Sequence, residues 1–147
     1  MAMPAPIDPS TLPCSPLDEV CGIIYFKRML EKIRLHAQGR LWADLHANLG
    51  IANDGTCCGF LHVDHATLTA RVLQGGTDED IFQWCQEQGR ELNETDKTVW
   101  NAYYRKLGWD DEITPKLAAR KASSGLASRD DIITMPHYID VDEGRQP

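Results

Sequence analysis

The chain has 147 residues, 42% of them apolar and 25% charged, and twenty-two Asp and Glu against fifteen Lys and Arg give a formal charge of -7. That composition excludes the disordered and fibrous classes. Its acidity argues against a general binder of nucleic acid or anionic membrane, and no apolar run approaches the roughly 20 residues of a membrane span. A single domain is expected, burying on the order of 70% of the surface that its unfolded chain exposes, so stability requires no disulfide, metal or cofactor.

In chain order, residues 1–18 read as an extended leader because Pro4, Pro6, Pro9, Pro13 and Pro16 crowd into it, and residues 19–147 as a helical domain. The leader lacks the basic and apolar regions of a secretory signal, which places the protein in the cytoplasm. Cys14, Cys21, Cys57, Cys58 and Cys85 form no C-x-x-C, and their odd number fits reduced thiols in that compartment. Ile23, Phe26, Leu30, Ile33 and Ala37 recur at spacings of three and four, predicting a first long helix stopped by Gly39. Leu41, Trp42, Leu45 and Leu49 allow another helix, yet Gly50 and Asn53-Asp54-Gly55 demand a loop.

Further on, Asp64 caps a helix carrying Leu68, Val72 and Leu73, which ends before Gly75-Gly76. Thr77 and Asp80 have the form of a capping box; Ile81, Phe82 and Cys85 give the stripe of the next helix, and Gly89 closes it. Asn93 caps a helix whose apolar stripe is Val99, Trp100, Tyr103, Tyr104 and Leu107. Thr114-Pro115 starts a shorter helix ended by Ser123-Ser124-Gly125. Ser128 is expected to cap residues 129–135, with Pro136 interrupting them and the tail HYIDVDEGRQP running extended over the surface. No segment has a convincing strand pattern, so the expected class is all-α.

From about Cys21 to Arg145 the chain resembles a bacterial family of domains of unknown function, number 5069. The resemblance is carried jointly by the basic first helix and five stretches: DGTCCGFLHVD, GGTDEDIFQWC, VWNAYYRKLGW, KASSGLASRDDI and YIDVDEGR. It implies a small helical domain and supplies no activity, ligand or catalytic residue.

Three constellations are candidates for function. Cys57 and Cys58 fall near the start of a short helix, where free amides and the macrodipole lower a thiol pKa, and His62 could serve Cys58 as a base. The competing reading is plain packing beside Phe60 and Leu61. Cys58, His62 and His65 also have spacings that one zinc ion could bridge, though a fourth ligand is lacking and Asp64 already has work as a cap. The second constellation is basic: Lys27, Arg28, Lys32, Arg34 and Arg40 are accompanied by one acid, Glu31. This stripe is a solvated face, a docking surface for the acids or Arg145 of the tail, or an oxyanion site. Third, Trp84, Trp100, Tyr103, Tyr104 and Trp109 either pack in the core or line a pocket, with Trp84 and Trp100 expected inside and Tyr104 or Trp109 near a rim. Nucleotide-binding and nucleophile-elbow motifs are absent.

The reading that follows is a non-catalytic module binding a small molecule or a protein through an aromatic groove beside the first helix. Its candidate contacts are Lys27, Arg28, Arg34, Trp84, Trp100, Tyr104, Trp109 and Arg145; no cofactor is expected, and homo-oligomerisation stays open. The alternative is a small thiol- or metal-dependent enzyme built on Cys57, Cys58 and His62.

Overall fold

A short hairpin stands where the first helix was expected to begin. In the computed structural model, which describes residues 6–145, β1 (Glu19–Val20) pairs antiparallel with β2 (Ile23–Ile24), Val20 opposite Ile23. Two adjacent β-branched residues favour this extended backbone. Side chains of a later helix complete it: Asn101 Oδ1 accepts from the Ile24 amide at 3.0 Å, its Nδ2 donates to Gly22 O at 2.9 Å, and Trp100 Nε1 donates to Ile24 O at 2.9 Å. α1 (Phe26–Ala37) therefore starts after Tyr25, whose φ is 73°, and Gly39 at φ +68° follows its end. Phe26, Met29, Leu30 and Ile33 are buried on its core side.

Residues 41–55 divide differently from the expectation. A 3-10 turn spans Ala43–Asn48, and Asn53-Asp54-Gly55 form the first turn of α2 (Asn53–Leu61) rather than a loop. The reversal is taken by Gly50, at φ 82°, and Ala52, at φ 53°, which leaves Asn53 free to enter the helix. A carboxylate at the second helical position suits the positive end of the helix dipole. Tertiary contacts of Asp54 offset the helix penalty of Gly55, about 1 kcal/mol.

The middle of the chain follows its capping signals. Asp64 caps α3 (His65–Leu73), and capping boxes at Thr77/Asp80 and Asn93/Asp96 open α4 (Asp78–Gln88) and α5 (Glu94–Arg105). Gly89 is required by closeness rather than by φ: a Cβ there would lie 2.0 Å from Leu61 O, where the end of α4 meets the end of α2. α6 (Thr114–Ser123) starts at Thr114-Pro115 as expected.

The tail requires a correction. Residues 129–134 form turns, and Thr134 rather than Ser128 is the cap, accepting from the His137 amide at 3.3 Å. Pro136 sits in the first turn of α7 (Met135–Asp142), where no amide is missed. The segment expected to lie extended on the surface is thus a helix that buries Met135, Pro136, Tyr138 and Asp140. Residues 1–5 of the proline-rich leader and residues 146–147 of the tail lie outside the described residues. The rest of that leader packs on the body, with Pro13 and Pro16 buried.

The architecture is a helical domain with one small hairpin. Its core joins β2 and α1 to buried residues of every other helix, and Trp100 stacks between Phe60 and Tyr104 at centroid distances of 4.9 and 5.8 Å. No described helix is long and apolar enough to cross a membrane.

Candidate ligand-binding site

The side of α1 away from this apolar packing is charged, and it is buried. Tyr25, Arg28 and Lys32 are spaced three and four residues apart, which aligns them along one face. Lys32 Nζ donates to Asp54 Oδ2 at 2.9 Å, Tyr25 Oη to Asp54 Oδ1 at 2.5 Å, and the Gly50 amide to Asp54 Oδ2 at 2.9 Å. Asp54 is wholly inaccessible and Lys32 is 4% exposed. His65 Nε2 lies 3.9 Å from Asp54 Oδ2 and is a buried nitrogen without a hydrogen-bond partner. Gly50 makes the close approach possible, since a Cβ there would lie 3.0 Å from His65 Nδ1.

A second charged group adjoins the first. Arg28 grips Glu143 with both terminal nitrogens, at 2.9 and 2.6 Å, and also donates to Cys14 O at 2.9 Å. Arg145 donates to Glu143 Oε1 at 2.5 Å, to Asp140 Oδ1 at 3.3 Å and to Pro13 O, while Ser15 Oγ donates to Asp140 Oδ2 at 2.9 Å. Buried charges persist only when paired and hydrogen-bonded, and these are. Burial pulls the Lys32 amine below the usual lysine range even against the attraction of Asp54. Burial and the adjacent Asp54 carboxylate push the Tyr25 phenol well up, keeping it a neutral donor. For Arg28, burial works against the charge, but the Glu143 bonds outweigh it and raise the pKa.

This face borders a cavity of about 680 Å³, within the ordinary range for small-molecule sites. Tyr25, Arg28, Lys32 and Glu143 form its buried end. Leu45, Ile51, Leu107, Ile113, Met135 and Ile139 supply apolar lining, and Trp42, Tyr103 and Tyr138 add rings. Nearer to solvent are Asp44, Lys116, Arg120 and Asp142. Two lining residues hold strained backbone, Tyr25 at φ 73°, ψ -35° and Ala52 at φ 53°, ψ -123°. Strain of this kind costs on the order of 1–3 kcal/mol and concentrates at ligand sites.

Of the eight candidate contacts read from the sequence, Arg28 alone borders the main cavity, where it is joined by Lys32 of its stripe and Tyr103 of the aromatic set. Arg145 lines a smaller one of about 370 Å³ with Cys14 and Glu143. Arg34 reaches Asp78 at 2.7 Å on α4, and Lys27 is half-buried away from the cavity. The expectation of a solvated basic stripe is corrected for Arg28 and Lys32; contact with the acids of the tail is realised through Glu143. Trp100 is inside as expected, whereas Trp84 is only half-buried. Tyr104 is also inside, its hydroxyl accepting from Asn53 Nδ2 at 3.3 Å, which leaves Trp109 as the exposed ring. Of the five rings considered, Tyr103 alone lines the cavity, and Trp42 and Tyr138 join it there.

Both thiols of the cysteine candidates are buried. Cys57 and Cys58 face the core, and Cys58 Sγ meets Met29 Sδ at 3.7 Å. Burial pushes both thiols up, Cys58 to about 12, opposite to the lowering expected near a helix start. Four residues separate Cys57 from the helix start, and the desolvation of the core outweighs the weak dipole at that depth. His62 caps α2 in the left-handed region with an exposed ring, so it does not share the buried environment of Cys58. Cys58, His62 and His65 form no metal-holding cluster, and no three His, Cys, Asp or Glu side chains do so among the described residues.

Sequence reasoning missed Tyr25, Lys32 and Asp54 as a unit. One signal was present: Arg28 and Lys32 recur at helical spacing on the face that flanks the stripe of Phe26, Met29, Leu30 and Ile33. Asp54 carried no such signal, because Asn-Asp-Gly reads as a turn.

A search of the curated proteins gave no match to the chain. The model of one family, Domain of unknown function (DUF5069), matches residues 10–145, from the packed leader through Arg145 of the buried charge cluster. By this match over nearly its whole length, the chain belongs to the DUF5069 family.

Proposed function

We propose that the protein is a small-molecule binding module whose ligand occupies the cavity beside α1. The observation that carries this reading is a cavity of about 680 Å³ with buried, paired charges at one end and an apolar lining. A chain selected only for stability gains little from burying ion pairs, since well-packed apolar residues serve as well or better. Retained charges beside an open volume and two strained residues fit recognition. Neither the thiol nor the metal reading has a comparable observation. A cytoplasmic setting belongs to the same proposal, in keeping with five cysteines that are all free thiols.

The test is a blocking substitution. Ala119 is an exposed residue of α6 that lines the cavity, so Ala119→Trp fills the volume without touching a buried pair. Stability should change by no more than about 0.5 kcal/mol, as for other surface substitutions. A fragment library screened by thermal shift should give hits with the native chain that Ala119→Trp loses. Hits that survive the substitution unchanged, or a library that gives none, would overturn the reading.

A further inference from the structure

We infer that the ligand is an organic acid, an apolar body bearing one carboxylate whose oxygens accept from the Lys32 ammonium. This deepens the proposed function and rests on it. An ammonium carries three donors. Among the described residues Lys32 meets one acceptor, Asp54 Oδ2. Asp54 has little capacity left, because Oδ1 takes Tyr25 and Oδ2 already takes the Gly50 amide. Buried donors are ordinarily satisfied, and Lys32, 4% exposed, borders the cavity. An acceptor entering from the cavity completes it.

The surroundings select the class. Glu143 is engaged in both of its oxygens by Arg28, so it offers no free anion to a ligand cation. Lys116 and Arg120 lie one turn apart on α6, both line the cavity, and neither has an ion pair among the described residues. Asp44 and Asp142 stand beside them and balance their charge, so Lys32 decides the sign at the buried end. One oxyanion is therefore favoured over a cation in a chain whose formal charge is -7. At the buried end the Arg28 charge is matched bidentately by Glu143, whereas Lys32 spends a single donor on Asp54, so the carboxylate is assigned to Lys32. Leu45, Ile51, Leu107, Ile113, Met135 and Ile139 set the remaining demand, which is apolar.

The experiment compares three probes sharing one body, 4-phenylbutanoate, 4-phenylbutanamide and 4-phenylbutylamine, by calorimetric titration. The native chain should bind the acid about tenfold or more tighter than the amide, the usual worth of a charge-assisted hydrogen bond, and should not bind the amine. Lys32→Gln should equalise acid and amide. Should the charge left on Asp54 prevent that variant from folding, Lys32→Gln with Asp54→Asn restores a neutral pair and makes the same comparison. Equal binding of acid and amide by the native chain, abolished in Ala119→Trp, overturns the carboxylate inference and leaves the pocket standing. No binding by any probe, or binding indifferent to Ala119→Trp, overturns both.

Discussion

Asp54 and Cys57 stand one helical turn apart on α2, equally cut off from solvent, and they have opposite chemistry. Around Asp54 the chain gathers an ammonium, a phenol, a backbone amide and an imidazole. Around Cys57 and Cys58 it gathers Leu61, Met29 and Cys85, with the Met29 sulfur as the nearest polar partner of Cys58. Burial among partners keeps a charge in place, whereas burial among hydrocarbons keeps a thiol protonated. One helix thus carries a thiol pair set among apolar side chains and, a turn earlier, an acid that holds Tyr25 and Lys32 of the cavity wall.

That contrast is sharpened most by removing its charged member. Asp54→Ala leaves the Lys32 ammonium buried without an acceptor and should cost about 3–5 kcal/mol, read from urea denaturation. A loss near that of an exposed aspartate would show that the cluster is hydrated and the contrast false. Cys57→Ser should cost less, about 1–3 kcal/mol, because its hydroxyl enters apolar surroundings without a partner. Stability unchanged by the serine would mean that a polar acceptor exists beside Cys57.

Alkaline pH probes the thiol side next. Cys58 keeps its proton to about 12 when folded and to an ordinary 9 when unfolded. The folded chain therefore binds more protons above pH 9, and stability that is full below pH 9 falls as pH rises through 12. Lys32 acts in the other sense: its folded pKa is lowered, so its contribution improves as pH rises toward the ordinary lysine value. Cys85, also pushed up to about 12, and the buried Tyr25 and Tyr104 add to the loss. Cys58→Ala should lose less stability than the native chain between pH 9 and 12, and an identical loss would contradict the assignment. The smallest effect expected is at neutral pH, where iodoacetamide should leave Cys57, Cys58 and Cys85 unmodified in the folded chain. Rapid alkylation of Cys57 or Cys58 would revive the nucleophile.

The helical class, and most helix starts, were legible because caps are local: Asp64, Thr77 with Asp80, and Asn93 with Asp96 each satisfy amides within three residues. What failed was decided at a distance. Ile23-Ile24 is a strand because Asn101 and Trp100, far along the chain, supply partners for the Ile24 amide and carbonyl. Asn53-Asp54-Gly55 enters a helix because Tyr25 and Lys32 hold Asp54; the start of α7 is the exception, since its cap, Thr134, is local and was passed over for Ser128. Tyr103 was among the rings read from the sequence, but Trp42 and Tyr138, which line the cavity with it, come from separate segments that no local pattern connects.

The most direct test of the central claim is backbone amide NMR during titration with 4-phenylbutanoate. Saturable shifts at Tyr25, Lys32, Ala52, Thr56 and Ile139 are predicted, all of them cavity residues, and Ala119→Trp should abolish them. Shifts confined to the exposed apolar residues Val99, Trp109 and Ile133, or the same pattern in Ala119→Trp, would contradict the account.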